Sequence, residues 1–152
     1  MNEQSREPEV VFNLEKIYLK DVSYEAPHVP AVFTEKNAPE VSVQLGIEHS
    51  KLDQGFFEVI LLVTVTAKLH DKVVFLTEAK QAGLFRIDGV PDVELGKVLE
   101  IACPNILLPF TREAINDLVQ KGGFPQLLIN PINFEALYQQ KQAAQAKPQA
   151  AH

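Results

Sequence analysis

Apolar and polar residues alternate along the first half of the chain, and this alternation predicts β-strands. In the first predicted strand, Val10–Tyr24, the apolar phase shifts between Leu14 and Ile17, as a β-bulge would cause. A connection rich in proline follows and ends near Pro39, too rich in proline for a central strand or a helix. Three further strands are predicted at Val41–Leu45, Phe57–Leu69 and Lys72–Leu84, with a tight turn at His70-Asp71.

The apolar spacing changes to that of helices after Gly89-Val90-Pro91. Asp92–Ala102 is predicted to be a short helical or irregular connection. A helix is predicted over Pro109–Lys121, because a Gly-Gly pair follows it as a stop signal. Asn133 is a good N-cap for a last helix, flanked by Ile132 and Leu137 as a possible hydrophobic staple. Strands followed by helices indicate an α+β fold with a four-stranded antiparallel sheet packed against C-terminal helices.

The length and composition fit one globular domain. The chain has 152 residues, of which 46% are apolar, enough to offset the entropy lost on folding. Residues 1–9 are expected to be disordered and residues 10–138 to form the domain. Residues 139–152 are rich in Gln and Ala, and we expect a tail that is partly helical and then disordered.

The net charge and the cysteine content limit which binding partners and which cellular compartment are expected. A formal net charge of −6 disfavours nucleic acid, whose phosphates it would repel. No apolar run approaches the roughly 20 residues that span a bilayer, so direct membrane insertion is not expected. The N-terminus is polar and acidic, unlike a secretory signal. With Cys103 as the single cysteine, these features predict a cytoplasmic protein.

Catalytic signatures are scarce in this sequence. It has no phosphate-binding glycine loop and no nucleophile elbow, and its four histidines occur singly. We therefore expect no catalytic residue, no metal site and no cofactor. Two alternatives stay open: an enzyme that uses Cys103, which precedes Pro104 at a predicted helix entrance, and an α+β module that binds a small molecule. The more ordinary role for Cys103 is a small buried core residue.

Several segments resemble the SecB family of protein-export chaperones, in the family's order and over nearly the whole chain. The most specific are Cys103-Pro104-Asn105-Ile106-Leu107 and Phe124-Pro125-Gln126-Leu127. The others are Ile17–Pro27 with Val32-Phe33, Pro39-Glu40-Val41, Glu58-Val59, Val63–Ala67, Leu108–Glu113 and Pro131–Phe134. The chain departs from the family pattern at Ala82, where a second glycine is expected before Gly83.

The resemblance implies a chaperone without enzymatic activity that binds unfolded precursor proteins and keeps them competent for translocation. It also implies a homotetramer, built as a dimer of dimers with long helices between the sheets. The subunit contacts that it implies involve Thr77, Ala79, Gln81, Ile115 and Leu118.

Two binding surfaces are expected from the same resemblance. The client surface would be apolar, although the same residues could be ordinary core positions; it comprises Tyr24, Phe33, Val41, Val43, Leu45, Phe134, Leu137 and Tyr138. The second surface would bind the basic, zinc-bearing C-terminal tail of the SecA ATPase through Asp21, Glu25, Leu76 and Glu78. Strand parity places Leu76 and Glu78 on one face, as a shared surface requires.

Overall fold

A computed structural model describes residues 9–146 of the chain. It contains one antiparallel sheet of four strands, followed by three α-helices. The strands are β1 (Val11–Glu25), β2 (Glu40–Lys51), β3 (Phe56–Leu69) and β4 (Lys72–Asp88). The helices are α1 (Asp92–Lys97), α2 (Cys103–Lys121) and α3 (Phe134–Ala146). The predicted α+β class and the four strands are confirmed, and β2 and β4 extend further towards the C-terminus than their apolar alternation suggested.

The strand order is β1-β4-β3-β2, so the first two strands form the two edges of the sheet. β2, β3 and β4 pair as consecutive hairpins. The predicted turn between β3 and β4 is confirmed: His70 and Asp71 both have positive φ, 52° and 63°, the backbone that the tightest hairpins require. The connection between β1 and β2 contains a short 3₁₀ turn at Ala31–Thr34 and carries the chain from one edge to the other.

The bulge predicted in the first strand is confirmed. The register of β1 against β4 shifts between Leu14 and Lys16, and a second shift occurs between Leu19 and Asp21. Each shift adds one residue to β1. The apolar side chains that follow it therefore point again to the face of the sheet that the helices cover. Leu14 therefore lies opposite Phe85, and Val22 lies opposite Ala79, on the same face.

The hydrophobic core lies between the sheet and α2, which packs on β3 and β4. Alternate side chains of these two strands point to α2, because successive residues of a strand face opposite sides. On β3 and β4 this buried row consists of Phe57, Val59, Leu61, Val63, Val65, Ala67, Phe75, Ala79, Phe85 and Ile87. From α2, Cys103, Leu107, Leu108, Ile115 and Val119 pack against this row, and the same core includes Val74, Leu99, Ile129 and Phe134. The opposite face of the sheet, called the open face below, carries none of the three helices.

The second helix begins earlier than predicted. α1 passes through a π-helical turn at Val98–Ala102 directly into α2, which starts at Cys103 and contains Pro109 in its interior. The missing N–H of Pro109 leaves the carbonyl of Asn105 without its usual partner, and the exposed position of Asn105 allows water to replace it. Pro104 lies in the first turn of α2, where proline is tolerated, and Pro109 does not end the helix either.

The predicted start of the last helix is confirmed, because Asn133 Oδ1 accepts a 2.9 Å hydrogen bond from the backbone N–H of Ala136. The helix continues to Ala146, so residues 139–146 are helical. The ends of the predicted tails, residues 1–8 and 147–152, lie outside the described residues. The domain boundaries drawn from the sequence stay predictions. None of the helices within residues 9–146 has the length and hydrophobicity needed to cross a bilayer.

Candidate functional site

An uncovered apolar strip runs along the edge strand β2. Val41 and Val43 pair with Ala67 and Val65 of β3, which places them on the helix side of the sheet. They lie beyond the reach of α2 and are 44% and 42% exposed. Leu45, the next residue on this side, is half-buried. The structure thus brings together these three predicted client residues and leaves their side chains accessible.

Helix α3 forms a wall beside the end of this strip. Leu137 and Tyr138 line a groove of about 170 Å³ with Leu45 and Ile47 of β2. Leu137 is exposed and Tyr138 is half-buried, so both can contribute to a surface. Phe134, also predicted to contact clients, is fully buried in the core and anchors the first turn of α3.

Two further contacts hold α3 against the body of the domain. Lys141 Nζ forms a 2.6 Å ion pair with Glu100 Oε1, and Glu100 belongs to the π-helical turn. At Gly96 of α1, an added Cβ would lie 3.1 Å from the Tyr138 hydroxyl oxygen, so the missing side chain creates the space that Tyr138 occupies. The position of the groove wall therefore depends on Gly96 and on the Glu100–Lys141 pair as well as on Phe134.

An aromatic cluster of Tyr24, Phe33, Phe75 and Phe124 lies near the other end of the strip. The ring centroids of Phe33 and Phe124 are 5.1 Å apart, as are those of Phe75 and Phe124, and Tyr24 stacks on Phe75 at 6.3 Å. Phe75 shares a row of the sheet with Val41, through Ala67 between them. The two predicted client residues Tyr24 and Phe33 thus come together, joined by Phe75 and Phe124, which sequence reasoning missed.

Tyr24 is held in an unusual position within this cluster. Its hydroxyl oxygen is buried and has no hydrogen-bond partner among the described residues. Burial raises the pKa of Tyr24, because the charged phenolate would lose its hydration. A Cβ at Gly122, just after α2, would overlap this hydroxyl, so glycine at this position lets the phenol pack against the end of the helix.

The predicted SecA-binding residues lie together on the open face. In the β1–β4 register, Glu25 pairs with Leu76, Ser23 with Glu78 and Asp21 with Lys80. All of these positions point away from the helices. The structure therefore groups Asp21, Glu25, Leu76 and Glu78 into one patch, and it also places Lys80, a cation that the sequence reasoning did not consider, beside Asp21.

Glu58 is another carboxylate of the open face, and two hydrogen bonds hold its side chain. Glu58 accepts hydrogen bonds from the Tyr18 hydroxyl at 2.6 Å and from Lys20 Nζ at 2.8 Å. The hydrogen bond from Lys20 lowers the pKa of Glu58, with a further contribution from Tyr18. Desolvation, together with the neighbouring carboxylate, raises the pKa of Tyr18 to about 12. Glu58 lies 40 residues after Tyr18 and 38 after Lys20, so no local pattern could have grouped it with them.

The residues predicted at the subunit contact are mostly buried within one protomer. Thr77, Ala79, Gln81 and Ile115 are buried between the sheet and α2, and Leu118 is half-buried. Thr77 Oγ1 donates to the Ser23 carbonyl at 2.8 Å, and Gln81 Nε2 donates to the Tyr18 carbonyl at 3.0 Å. Thr77 and Gln81 therefore hold the edge strand β1, and a role of these five residues in a subunit contact stays a prediction.

The side chain of Cys103 is fully buried in the core. Desolvation raises the pKa of its thiol to about 12, so the thiol stays protonated at neutral pH. Because the π-helical turn runs into α2, Cys103 does not lie at an open helix N-terminus. This geometry does not favour a reactive thiolate.

A cavity of about 590 Å³ lies between α2 and the segment at residues 126–131. Two of its polar side chains form hydrogen bonds with the backbone: Arg112 Nε donates to the Ile129 carbonyl, and Asn116 exchanges two hydrogen bonds with Leu127. These polar groups fix the loop that follows α2. The hydrogen bonds of Arg112 and Asn116 are thus used within the domain and are not directed at a small molecule.

Comparison with known proteins shows which family the chain resembles. Residues 3–145 match the family model described as "SecB: Preprotein translocase subunit SecB". The protein-export protein SecB of Methylococcus capsulatus is 52% identical over 152 residues, covering 99% of this chain and 98% of that protein. The protein of the same description from Chromobacterium violaceum is 51% identical over 147 residues, covering 97% of each chain.

One solved structure shares the fold at low sequence identity. It is the Mycobacterium tuberculosis Rv1957 SecB-like chaperone, in complex with a ChAD peptide from the Rv1956 HigA1 antitoxin. The match has a TM-score of 0.68 and 16% identity and covers 80% of this chain and 90% of that one. The sheet-and-helix architecture is thus that of a SecB-like protein, and with the close relatives above the chain belongs to the SecB family.

Proposed function

We propose that this protein is a cytoplasmic protein-export chaperone, without enzymatic activity, that binds unfolded precursor proteins and delivers them to the SecA ATPase. The observation that carries the proposal is the uncovered apolar strip of β2 beside the wall formed by α3. In a protein of the SecB family, such a strip needs a partner, because exposed apolar surface in a continuous row is costly in water.

The shape of the strip suits a client without a fixed structure. Val41, Val43 and Leu45 offer a shallow row rather than an enclosed pocket, so they can accept apolar side chains of different sizes. Leu137 and Tyr138 border the row on one side. Each contact is weak, and a long client gains affinity by occupying several such rows at once, because later contacts are effectively intramolecular.

The aromatic cluster extends this client surface at the end of the strip near Val41. Phe33 is 50% exposed, and it rests on Phe124. Tyr24 is largely enclosed and supports the cluster from the β1 side. We therefore assign direct client contact to Phe33 and a supporting role to Tyr24. Phe134 has a supporting role too, since it anchors α3.

The open face provides the second interaction. Glu25 and Glu78 flank Leu76, and Asp21 lies further along the same face, so a basic peptide could place its cations on the acids and one apolar side chain on the leucine. The basic, zinc-bearing C-terminal tail of SecA is the proposed ligand. Binding to charged groups at this surface would weaken with increasing salt. The client strip lies on the other side of the sheet, so both partners can bind at the same time.

A dimer of dimers would repeat both surfaces and provide the avidity that a long client needs. The edge strand β1 favours such an assembly, because Phe12, Leu14, Leu19 and Val22 form an exposed apolar row on its helix side. Thr77 and Gln81 fix this strand through hydrogen bonds to its carbonyls. Ala79, opposite Val22, has no space for a larger side chain. Ala79→Phe should therefore shift β1 and reduce the mass measured by size exclusion with light scattering; a wild-type mass would contradict this assembly model.

The client surface is tested by the ability to delay refolding of a slow-folding denatured precursor in the absence of nucleotide. Val43→Ser should shorten the delay, because it removes apolar surface from the centre of the strip. Val93→Ser is the matched control, since Val93 is 80% exposed but lies on α1, outside the strip. Equal delays for wild type, Val43→Ser and Val93→Ser would reject the β2 strip as the client surface.

A further inference from the structure

Thr64 and Glu78 face each other across β3 and β4 on the open face. They form a register pair in the sheet, and Thr64 Oγ1 donates a 3.0 Å hydrogen bond to Glu78 Oε2. Both side chains are half-buried, in a sheet whose backbone fixes the distance between the two strands. The bond therefore determines where one oxygen of the Glu78 carboxylate lies.

Glu78 has a competing partner on its own strand. Lys80 follows two residues later, on the same face, and a glutamate side chain is long enough to turn towards a cation at that spacing. Within residues 9–146, however, Glu78 forms no ion pair with Lys80 or another cation. A neutral hydroxyl holds one carboxylate oxygen without reducing the negative charge, and the second oxygen stays available to a ligand.

The contrast with Glu58 shows the difference between the two arrangements. Glu58 accepts from Lys20 with one oxygen and from Tyr18 with the other, so its charge and both oxygens are already used within the domain. Glu78, held by Thr64 alone, keeps its charge for an incoming basic group. The two carboxylates share the open face, but only Glu78 is prepared for binding.

We propose that Thr64 is a positioning residue for the docking of a basic peptide on the open face: its hydroxyl holds the Glu78 carboxylate away from Lys80 and directed at the ligand. This inference rests on the proposed binding of the SecA tail to that face. Thr64 has no direct contact with the peptide and acts through Glu78. An oriented carboxylate loses less conformational entropy on binding and does not need to break an internal ion pair first.

The test is a double-mutant cycle on the full-length protein, with the synthetic, zinc-loaded C-terminal peptide of SecA as probe and calorimetry as readout. Thr64→Val keeps the shape of the side chain and removes the hydroxyl. It should weaken binding by about threefold to tenfold, as expected when one side chain must be ordered on binding instead of being held in place beforehand. Thr64→Ser should bind like the wild type. In a Glu78→Gln background, Thr64→Val should have no further effect.

Thr66→Val is the matched control. Thr66 lies on the same strand and face, and within the described residues no hydrogen bond joins its hydroxyl to a carboxylate; this variant should bind the peptide like the wild type. The positioning role would be overturned if Thr64→Val bound normally while Glu78→Gln was impaired, or if the effects of Thr64→Val and Glu78→Gln were additive. Wild-type affinity of Glu78→Gln itself would instead reject the docking face and, with it, the role of Thr64.

Discussion

Lys141 Nζ lies 2.6 Å from Glu100 Oε1, and this ion pair joins α3 to the π-helical turn that precedes α2. The Glu100 side chain is only 11% exposed, whereas that of Lys141 is 51% exposed. The carboxylate is therefore poorly hydrated and depends on the lysine for compensation. Since α3 forms one wall of the groove beside β2, the pair connects the stability of the last helix to the shape of the groove.

Removal of this lysine should loosen α3. In Lys141→Met, the Glu100 carboxylate would be left without its cation, and we expect the docking of α3 to weaken by about 1 kcal/mol after allowance for solvent around the lysine. Hydrogen exchange of residues 134–146 would then be faster. Lys121→Met is the control, because it removes the exposed Lys121–Asp117 pair at the end of α2. Equal exchange rates of α3 in wild type and Lys141→Met would contradict the prediction.

The contact between Gly122 and Tyr24 predicts a strong effect of a single methyl group. Gly122→Ala would force the new Cβ into the Tyr24 hydroxyl, and overpacking of this kind typically costs about 1–3 kcal/mol in the free energy of unfolding. Urea denaturation measures the loss. The Tyr24→Phe, Gly122→Ala double variant should recover part of it, since the hydroxyl is then absent. Gly46→Ala, where the nearest side-chain atoms of Leu62 would lie 3.6 Å away, should be tolerated.

The Cys103 thiol should react only when the protein unfolds. Because its pKa is raised to about 12, hardly any thiolate exists in the folded protein at pH 7–8, and the side chain is also inaccessible. Alkylation should therefore be slow in buffer and rapid in urea. Rapid alkylation of the folded protein would contradict this burial and would return the cysteine-dependent enzyme to consideration.

The Glu58 cluster predicts a specific acid dependence of stability. The pKa of Glu58 is lowered in the folded protein, mainly by the hydrogen bond from Lys20, so its contribution is present above the ordinary glutamate pKa and is lost as the pH falls through the folded value. Lys20→Met should therefore reduce the free energy of unfolding at neutral pH. The difference from wild type should shrink below about pH 4.5. Urea denaturation at several pH values measures this difference, and a gap that stays constant down to pH 3 would contradict it.

At alkaline pH the same cluster behaves in the opposite way. The pKa of Tyr18 is raised to about 12, chiefly by desolvation, so its contribution is present below the ordinary tyrosine pKa and is lost as the pH rises towards 12. Lys97→Met removes only a loose 3.9 Å contact with Glu94 on exposed α1. It is the control variant for the urea denaturation series at acid pH and at alkaline pH.

Local periodicity was sufficient to predict the elements of the sheet. The apolar alternation identified all four strands, and the change of phase after Leu14 located a bulge, because each of these features depends on neighbouring residues. The start of α2 was predicted too late, since Pro109 resembles a helix start in the sequence but lies inside a helix whose exposed side tolerates it. The N-cap at Asn133 was predicted correctly from local chemistry alone.

The parts of the site that depend on long-range pairing could not be predicted from local patterns. The sequence does not indicate that β1 pairs with β4, so it could not group Tyr18 with Glu58 or place Lys80 beside Asp21. Thr64 and Glu78 lie on adjacent strands, but their contact requires the register of the hairpin, and the sequence offers several nearby threonines. The burial of single side chains could not be predicted either: Phe134 and Leu137 lie three residues apart on one helix, and only the packing of α3 makes the first a buried anchor and the second a surface residue.

The strand order has a consequence for how the domain is made. β2, β3 and β4 are joined by short connections and can form from a contiguous stretch of chain, whereas β1 must wait for β4, whose Gln81 side chain reaches back 63 residues to the Tyr18 carbonyl. Closing so long a loop costs more entropy than forming a hairpin, so we expect β1, the first of the four strands to be translated, to be the last one added to the sheet. Until then the apolar row of β1 is unprotected on the nascent chain. During its own synthesis, a protein of this fold therefore passes through an incompletely folded state of the kind that it is proposed to bind in other proteins.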